Sequence, residues 1–303
     1  MRLLTRSDFD GLACAVLLKQ AGIIDSWKFA HPKDLQDGTV AVTSDDVLAN
    51  VPYVPGCGLW FDHHSSEGLR MQPGGFNGAF AMAPSAARVI WDYYGGDEKF
   101  PAFLKPMLEA VDKVDSADLS KDEIMNPTGW ILLGFIMDPR TGLGRFKDFR
   151  ISNYALMEDL IGYCLSGMPV EEILRLPDVA ERVKLYFEQD EQFSAMLKAH
   201  TTIQGVCAVI DLREQDPIYV GNRFKVYAMF PGCNVSVQII WGLNKQNTVL
   251  TVGKSILDRG NHVDVGALML HFGGGGHKAV GTCQVANEDA ERVISEVVAA
   301  LNA

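Results

Sequence analysis

Short apolar runs alternate with polar turns through the first 65 residues. Residues 2–5 (RLLT) make a strand-length run. Residues 11–22 (GLACAVLLKQAG) follow with apolar positions at helical spacing and a closing glycine suited to a cap. Further strand-length runs fall at residues 27–31, 39–43 and 58–61. Strands alternating with helices predict an α/β layer on a parallel sheet. From Pro84 the pattern turns helical, and PSAARVIWDYYGG and PAFLKPMLEAVDKVD each carry proline near the start, where a missing N–H costs nothing. Residues 154–200 also read as helix, with the charged run 179–199 expected to connect two domains. After Thr201 the texture is β: residues 202–212, 224–230, 234–241 and 248–256 are rich in Val, Ile, Thr and aromatics. A helix over 263–272, four glycines at 273–276 and a helix over 288–301 close the chain. The pattern predicts an α/β parallel-sheet domain over 1–180, a helical linker over 181–200 and a smaller α+β domain over 201–303.

Composition narrows the function. Lys plus Arg number 27 against 38 for Asp plus Glu, a net charge of −11, which argues against gripping a long nucleic acid by bulk electrostatics. An acidic metal site that handles phosphates remains compatible, because bound cations reverse the local charge. No run of about 20 apolar residues is present, so no membrane span is expected. The N-terminal residues lack the apolar core of a secretory signal, and the six cysteines are scattered without a CxxC pair. Reduced thiols in a cytoplasmic protein are the expectation.

Chemistry concentrates at the ends of the apolar runs. In Ser7-Asp8-Phe9-Asp10-Gly11 two aspartates follow a strand and a glycine opens a helix, where open α/β sheets place their ligands. Carboxylates there suit Mg2+ or Mn2+, and they equally suit a helix cap. The run at 58–61 ends in Asp62-His63-His64, a carboxylate and two imidazoles that are costly to bury without partners. Asp45 and Asp46 follow the run at 39–43, and VDKVDSADL carries Asp112, Asp115 and Asp118. Together these meet the needs of a two-metal phosphoryl-transfer site. Near the C-terminus, Phe272 leads into GGGGHKAVG. Its glycines could expose N–H groups to a phosphate beside His277, or simply form a turn. Residues 126–153 bring Arg140, Arg145 and Arg150 into an acidic chain, as a solvated basic loop or as an anion-guiding lid.

DFDG, DHH and GGGGHKAVG, in this order and spacing, resemble the DHH phosphoesterase superfamily with a DHHA1-type C-terminal domain, over essentially the whole chain. The resemblance implies an active site in the interdomain cleft. It makes Asp8 and Asp10 the first metal ligands and Asp46 the bridging ligand, with Asp45 as its alternative. Asp62 and His63 match the DHH pair, with His63 a ligand and His64 near the scissile phosphate, so Asp62, His63 and His64 are the implied catalytic group. Asp115, or alternatively Asp112, completes the metal set. Lys254 and Ser255 are similar to an Arg-Ser pair that holds substrate in relatives, and Gly274, Gly275, Gly276, His277 and Arg145 join them as implied substrate contacts. The sequence departs from the family in one respect. Many members carry a histidine a few residues before the first aspartate, and Leu3-Leu4-Thr5-Arg6-Ser7 has none, which leaves one metal short of a ligand and Arg6 able to meet a phosphate. The implied activity is a two-metal hydroxide mechanism, with two Mn2+ per chain and Mg2+ as the alternative. It would cleave phosphodiester bonds of short oligonucleotides or linear dinucleotides. Inorganic polyphosphate as substrate, or a non-catalytic nucleotide-binding protein, are the competing readings. A homodimer is expected by analogy with relatives.

Overall fold

Residues 1–64, 67 and 75–303 are described by the computed structural model. They divide into one unit of Met1–Asp118 with Pro127–Leu185 and another of Leu119–Asn126 with Tyr186–Ala303. No helix among the described residues is long and apolar enough to cross a membrane.

In the first unit, β1 (Arg2–Thr5) leads through α1 (Phe9–Gln20) to β2 (Ser26–Phe29), and α2 (Pro32–Gln36) precedes β3 (Asp46–Ala49), β4 (Leu59–Asp62) and β5 (Gly78–Phe80). The strands lie in the order β2-β1-β3-β4-β5 and every pair is parallel. The chain winds outward from β1 to β2 and then returns to β3 on the other side. The carboxyl ends of β1 and β3 therefore flank a topological switch point, where such sheets open a ligand crevice. α1 is buried at every position from Phe9 to Leu18, the signature of an interior helix. It packs on β1 and on α3 (Ala86–Tyr93), α4 (Lys105–Asp115) and, after α5 (Lys121–Met125) and α6 (Gly129–Met137), on α7 (Asn153–Leu165). Burying each of Leu12, Leu17 and Leu18 contributes about 1.5–3 kcal/mol.

The expected strand at 39–43 is not formed. That stretch is irregular, and the strand begins instead at Asp46, the residue opposite Arg2 at the amino end of β1. The helical reading of 154–200 resolves into α7, a single turn α8 (Val170–Ile173) and the long α9 (Pro177–His200). The breaks fall at the left-handed Gly167 and at Pro169 and Pro177. The division between the two packed units lies within α9, and α5 groups with the second unit.

The second unit is a mixed six-stranded sheet in the order β10-β11-β9-β8-β7-β6. β6 (Thr201–Gln204) and β7 (Cys207–Asp211) form a hairpin within the run read at 202–212. β7 pairs parallel with β8 (Val235–Trp241), which pairs antiparallel with β9 (Thr248–Lys254). Residues 224–230, read as strand, form the short helix α10 (Lys225–Met229). Tertiary contacts override β propensity there: the buried Lys225 ammonium pairs with Asp190, and Tyr227 reaches Ser236 Oγ at 2.8 Å and Gly253 O at 2.7 Å. α11 (Val265–His271), β10 (Gly275–His277), β11 (Val280–Val285) and α12 (Ala290–Leu301) complete a core centred on Val237, Leu250, Val252, Met269 and Val297.

Candidate active site

Asp8 is the N-cap of α1. Its Oδ1 accepts from the Gly11 amide at 2.9 Å and from Asn50 Nδ2 at 2.9 Å, while Oδ2 lies 3.2 Å from Arg6 Nε. Gly11 is required for this turn, since a Cβ there would stand 2.0 Å from Arg6 O. Asp10, in the first turn of α1 and 2% exposed, accepts from the amides of Ala86 and Ala87 at 2.9 and 2.8 Å. Those amides open α3, so Asp10 sits at the positive end of a helix. Each aspartate thus serves a helix end: Asp8 takes its hydrogen bonds on Oδ1 and leaves Oδ2 to Arg6, whereas Asp10 takes one helix amide on each oxygen.

His63 follows β4. Its Nδ1 donates to Ala83 O at 3.0 Å, which leaves Nε2 3.1 Å from Asp115 Oδ2 and 3.8 Å from Asp10 Oδ2. An imidazole fixed by a carbonyl on one nitrogen presents the other as a metal ligand. Asp62 Oδ1 accepts from His64 Nδ1 at 2.8 Å, and the two histidine rings meet edge-on. Asp10, His63 and Asp115 form one ligand-spaced group, and Asp62, His63 and His64 form another. Buried at the ends of neighbouring strands, Thr5 Oγ1, Asn50 Oδ1 and Asp62 Oδ2 lack a hydrogen bond. His63 Nε2 has its two carboxylates close by but no aligned hydrogen bond to either. Each such atom costs about 1–3 kcal/mol unless something satisfies it. Carboxylate, amide and hydroxyl oxygens with one imidazole nitrogen suit Mn2+ or Mg2+, so these residues fit a divalent cation.

The electrostatics agree. Burial raises the Asp8 carboxyl against the opposing charge of Arg6. Burial, reinforced by Asp115, lifts Asp10 to about 7. Burial pulls His63 down, but Asp115 and Asp10 outweigh it and bring the imidazole to about 9. His64 is likewise lowered by burial and raised overall by Asp62. A cation would displace the protons that these crowded groups hold.

Other expected ligands lie elsewhere. Asp46 stands at the amino end of β3, the opposite edge of the sheet from Asp8. Its carboxylate takes Arg2 Nε at 2.7 Å and the Thr43 amide at 2.7 Å. Asp45 is exposed beside it. Neither is brought to the cluster, because the strand starts where it was expected to have ended. The residue at the carboxyl end of β3 is Asn50, held at φ 56° and 1% exposed, and sequence reasoning missed it. Its amide orientation is forced, since turning the oxygen toward Asp8 would set two acceptors against each other. Asp112 is committed to Ser85 Oγ at 2.7 Å and Arg88 Nε at 2.9 Å, so Asp115 alone of that pair joins the cluster. Arg145 folds back, its Nε donating to Gly142 O at 3.2 Å. The field of Asp8 and Asp115 is felt instead by Arg140, which also pairs with Asp138 at 2.7 Å.

In the second unit, Lys254 ends β9, and Ser255 Oγ accepts from the amides of Leu257 and Asp258 at 3.2 and 3.1 Å, shaping a turn. The second half of the glycine run, Gly275 and Gly276, enters the edge strand β10, while Gly273 and Gly274 turn into it. A Cβ on Gly274 would meet Thr282 O at 2.0 Å and one on Gly276 would meet Val280 O at 2.3 Å, so packing demands both glycines, whereas Gly275 faces open space. His277 closes the strand and is exposed.

No protein-family model and no curated protein matches this chain. Among solved structures it is similar to the pGpG-specific phosphodiesterase PggH of Vibrio cholerae, with 49% identity over 99% of this chain and 98% of that one and a TM-score of 0.89. A DHH domain from a protein described as a member of a ribosomal-protein family shares the fold at 13% identity, covering 98% of this chain and 85% of its own, with a TM-score of 0.58. So does the exonuclease RecJ bound to manganese, at 14% identity over 98% and 89%, with a TM-score of 0.50. Near-half identity along the full length of a phosphodiesterase, on a sheet edge that gathers DFDG and DHH into one ligand set, makes this chain a member of the DHH superfamily and a metal-dependent phosphoesterase.

Proposed function

We propose that this enzyme hydrolyses the phosphodiester bond of linear dinucleotides, and of comparably short oligonucleotides, to mononucleotides. The observation that carries this reading is the 49% identity to a pGpG-specific phosphodiesterase across nearly all of both chains. Asp10, His63 and Asp115 would hold one divalent cation, and Asp8, Asp62 and the Asn50 oxygen border a second; Mn2+ is the proposed ion, two per chain. When bound, such cations stabilise charge on the phosphoryl group and acidify water. Arg6 sets a positive charge beside Asp8, where a phosphate oxygen can meet it. His64, lowered by burial but raised overall by its hydrogen bond to Asp62, is placed to donate a proton to the leaving oxygen. We further propose that residues 1–180 carry this chemistry while Lys254, Gly275 and His277 of residues 201–303 bind a phosphate. In support, the amide of Lys254 pairs with Ala279 O at 2.9 Å, which brings Lys278 close enough to add its repulsion to the burial that lowers Lys254. Six free cysteines fit a cytoplasmic setting.

The test is product analysis of the Mn2+-loaded protein on 5′-labelled di- to pentanucleotides, pyrophosphate and medium-chain polyphosphate. Mononucleotide release, fastest from the dinucleotide, is the expected outcome. Orthophosphate from polyphosphate with intact dinucleotide would overturn the reading.

A further inference from the structure

We infer that a cavity of about 330 Å3 beside Asp8, at the carboxyl ends of β1 and β2, seats one nucleobase of the substrate, and that its donor groups favour guanine. This rests on the dinucleotide reading and specifies which part of the first unit recognises the base. Asp8, with Arg6 paired to it at 3.2 Å, lines the cavity, so a group lodged there is adjacent to the phosphate chemistry. Its walls are otherwise chiefly apolar, with Ala30, Ile136, Leu143 and Met157 among them. An inorganic polyphosphate gains nothing from such walls, whereas a flat aromatic ring buries its faces there. The volume is that of an ordinary small-molecule site.

Two polar groups on the walls have orientations fixed by the fold. His31 caps α2 by accepting the Lys33 amide on Nδ1 at 3.2 Å, so its proton resides on Nε2. Asn153 Oδ1 accepts Arg182 Nε at 2.9 Å, so its Nδ2 is presented as a donor. Guanine offers two acceptors, O6 and N7, on one edge, whereas adenine pairs an acceptor with a donor there. The wall is also rigid. The Arg182 side chain is 1% exposed, reaches Asp178 O at 2.6 Å and Ile151 O at 2.7 Å, and lies 4.0 Å over the Phe149 ring. A site held this way loses little entropy on binding.

Titration calorimetry with GMP and AMP on the full chain tests the assignment. Asn153→Asp retains the acceptor for Arg182 and turns the donor into an acceptor; the expected result is a loss of GMP affinity of about tenfold or more with AMP affinity within about twofold. Gly144 lines the cavity, and a Cβ there meets nothing closer than Asn153 Nδ2 at 3.8 Å, so Gly144→Phe fills the space without disturbing the core. It should weaken both nucleotides about tenfold while melting as wild type does. Wild-type GMP affinity in folded Asn153→Asp and Gly144→Phe would overturn the inference, as would equal losses of GMP and AMP in Asn153→Asp. If wild type cleaves the dinucleotide and the variants bind normally, only the base assignment fails. If wild type cleaves no dinucleotide, the reading beneath it fails as well.

Discussion

His63 decides how the site handles charge. With Nδ1 committed to Ala83 O, Nε2 faces two carboxylates and must carry either a proton or a cation. Its pKa rises from 6.5 to about 9 in the folded, metal-free protein, so its contribution to stability is complete below about 6.5 and is lost as pH climbs through about 9. Asp10, raised to about 7, acts in the same direction over a lower window, from about 3.8 to about 7, because its folded form holds a proton that the unfolded chain has released. Chelated protein is therefore expected to melt at progressively lower temperature from about pH 6.5 to about 9, while the stabilisation conferred by Mn2+ grows over that window, as thermal melts would read directly. Asn50 gives a second expectation. Asn50→Asp would set another carboxylate 2.9 Å from Asp8 Oδ1, costing the metal-free fold about 1–3 kcal/mol, and Mn2+ should restore it. Of the residues proposed to hold metal, Asp8, Asp10, Asp62, His63 and Asp115 were legible as strand-end or helix-end ionisable groups. Asn50 was not, because a neutral side chain after DVLA carries no signal until the strand is placed.

At the scale of elements, Gly11 holds the first motif together. A methyl group there would overlap Arg6 O, so Gly11→Ala should cost at least about 1–3 kcal/mol in urea unfolding and displace Asp8 and Asp10 together. The strand–helix alternation of the first unit was readable because β1, α1 and β4 are buried runs with clear ends. β3 was misplaced because Val40 and Val42, apolar enough to read as strand, pack against a small cluster around Trp60 from an irregular segment. That displacement leaves Asp46, expected as the bridging ligand, at the sheet edge opposite Asp8. β5 is only three residues with a glycine at its head, too short for any period to show. α10 was read as strand because its aromatic and β-branched residues are chosen for contact with the sheet and α9 rather than for helix propensity.

For the whole molecule, the order of motifs along the chain matters less than their meeting at one sheet edge. DFDG, the end of β3 and DHH lie on three adjacent strands, so parallel pairing alone brings them together. Asp115 arrives from the end of α4, beyond the reach of strand reasoning. Such an edge is expected to act as a unit: losing Asp62 removes a buried carboxylate and frees His64 at once. The most direct measurement is a single-turnover assay of wild type and Asp62→Ala on 5′-labelled pGpG, with Mn2+ and with chelator. The expected result is labelled GMP from wild type only with Mn2+, and a rate at least about a hundredfold lower in the variant. Equal release by Asp62→Ala, or undiminished release under chelation, would contradict a metal-dependent phosphodiesterase centred on this sheet edge.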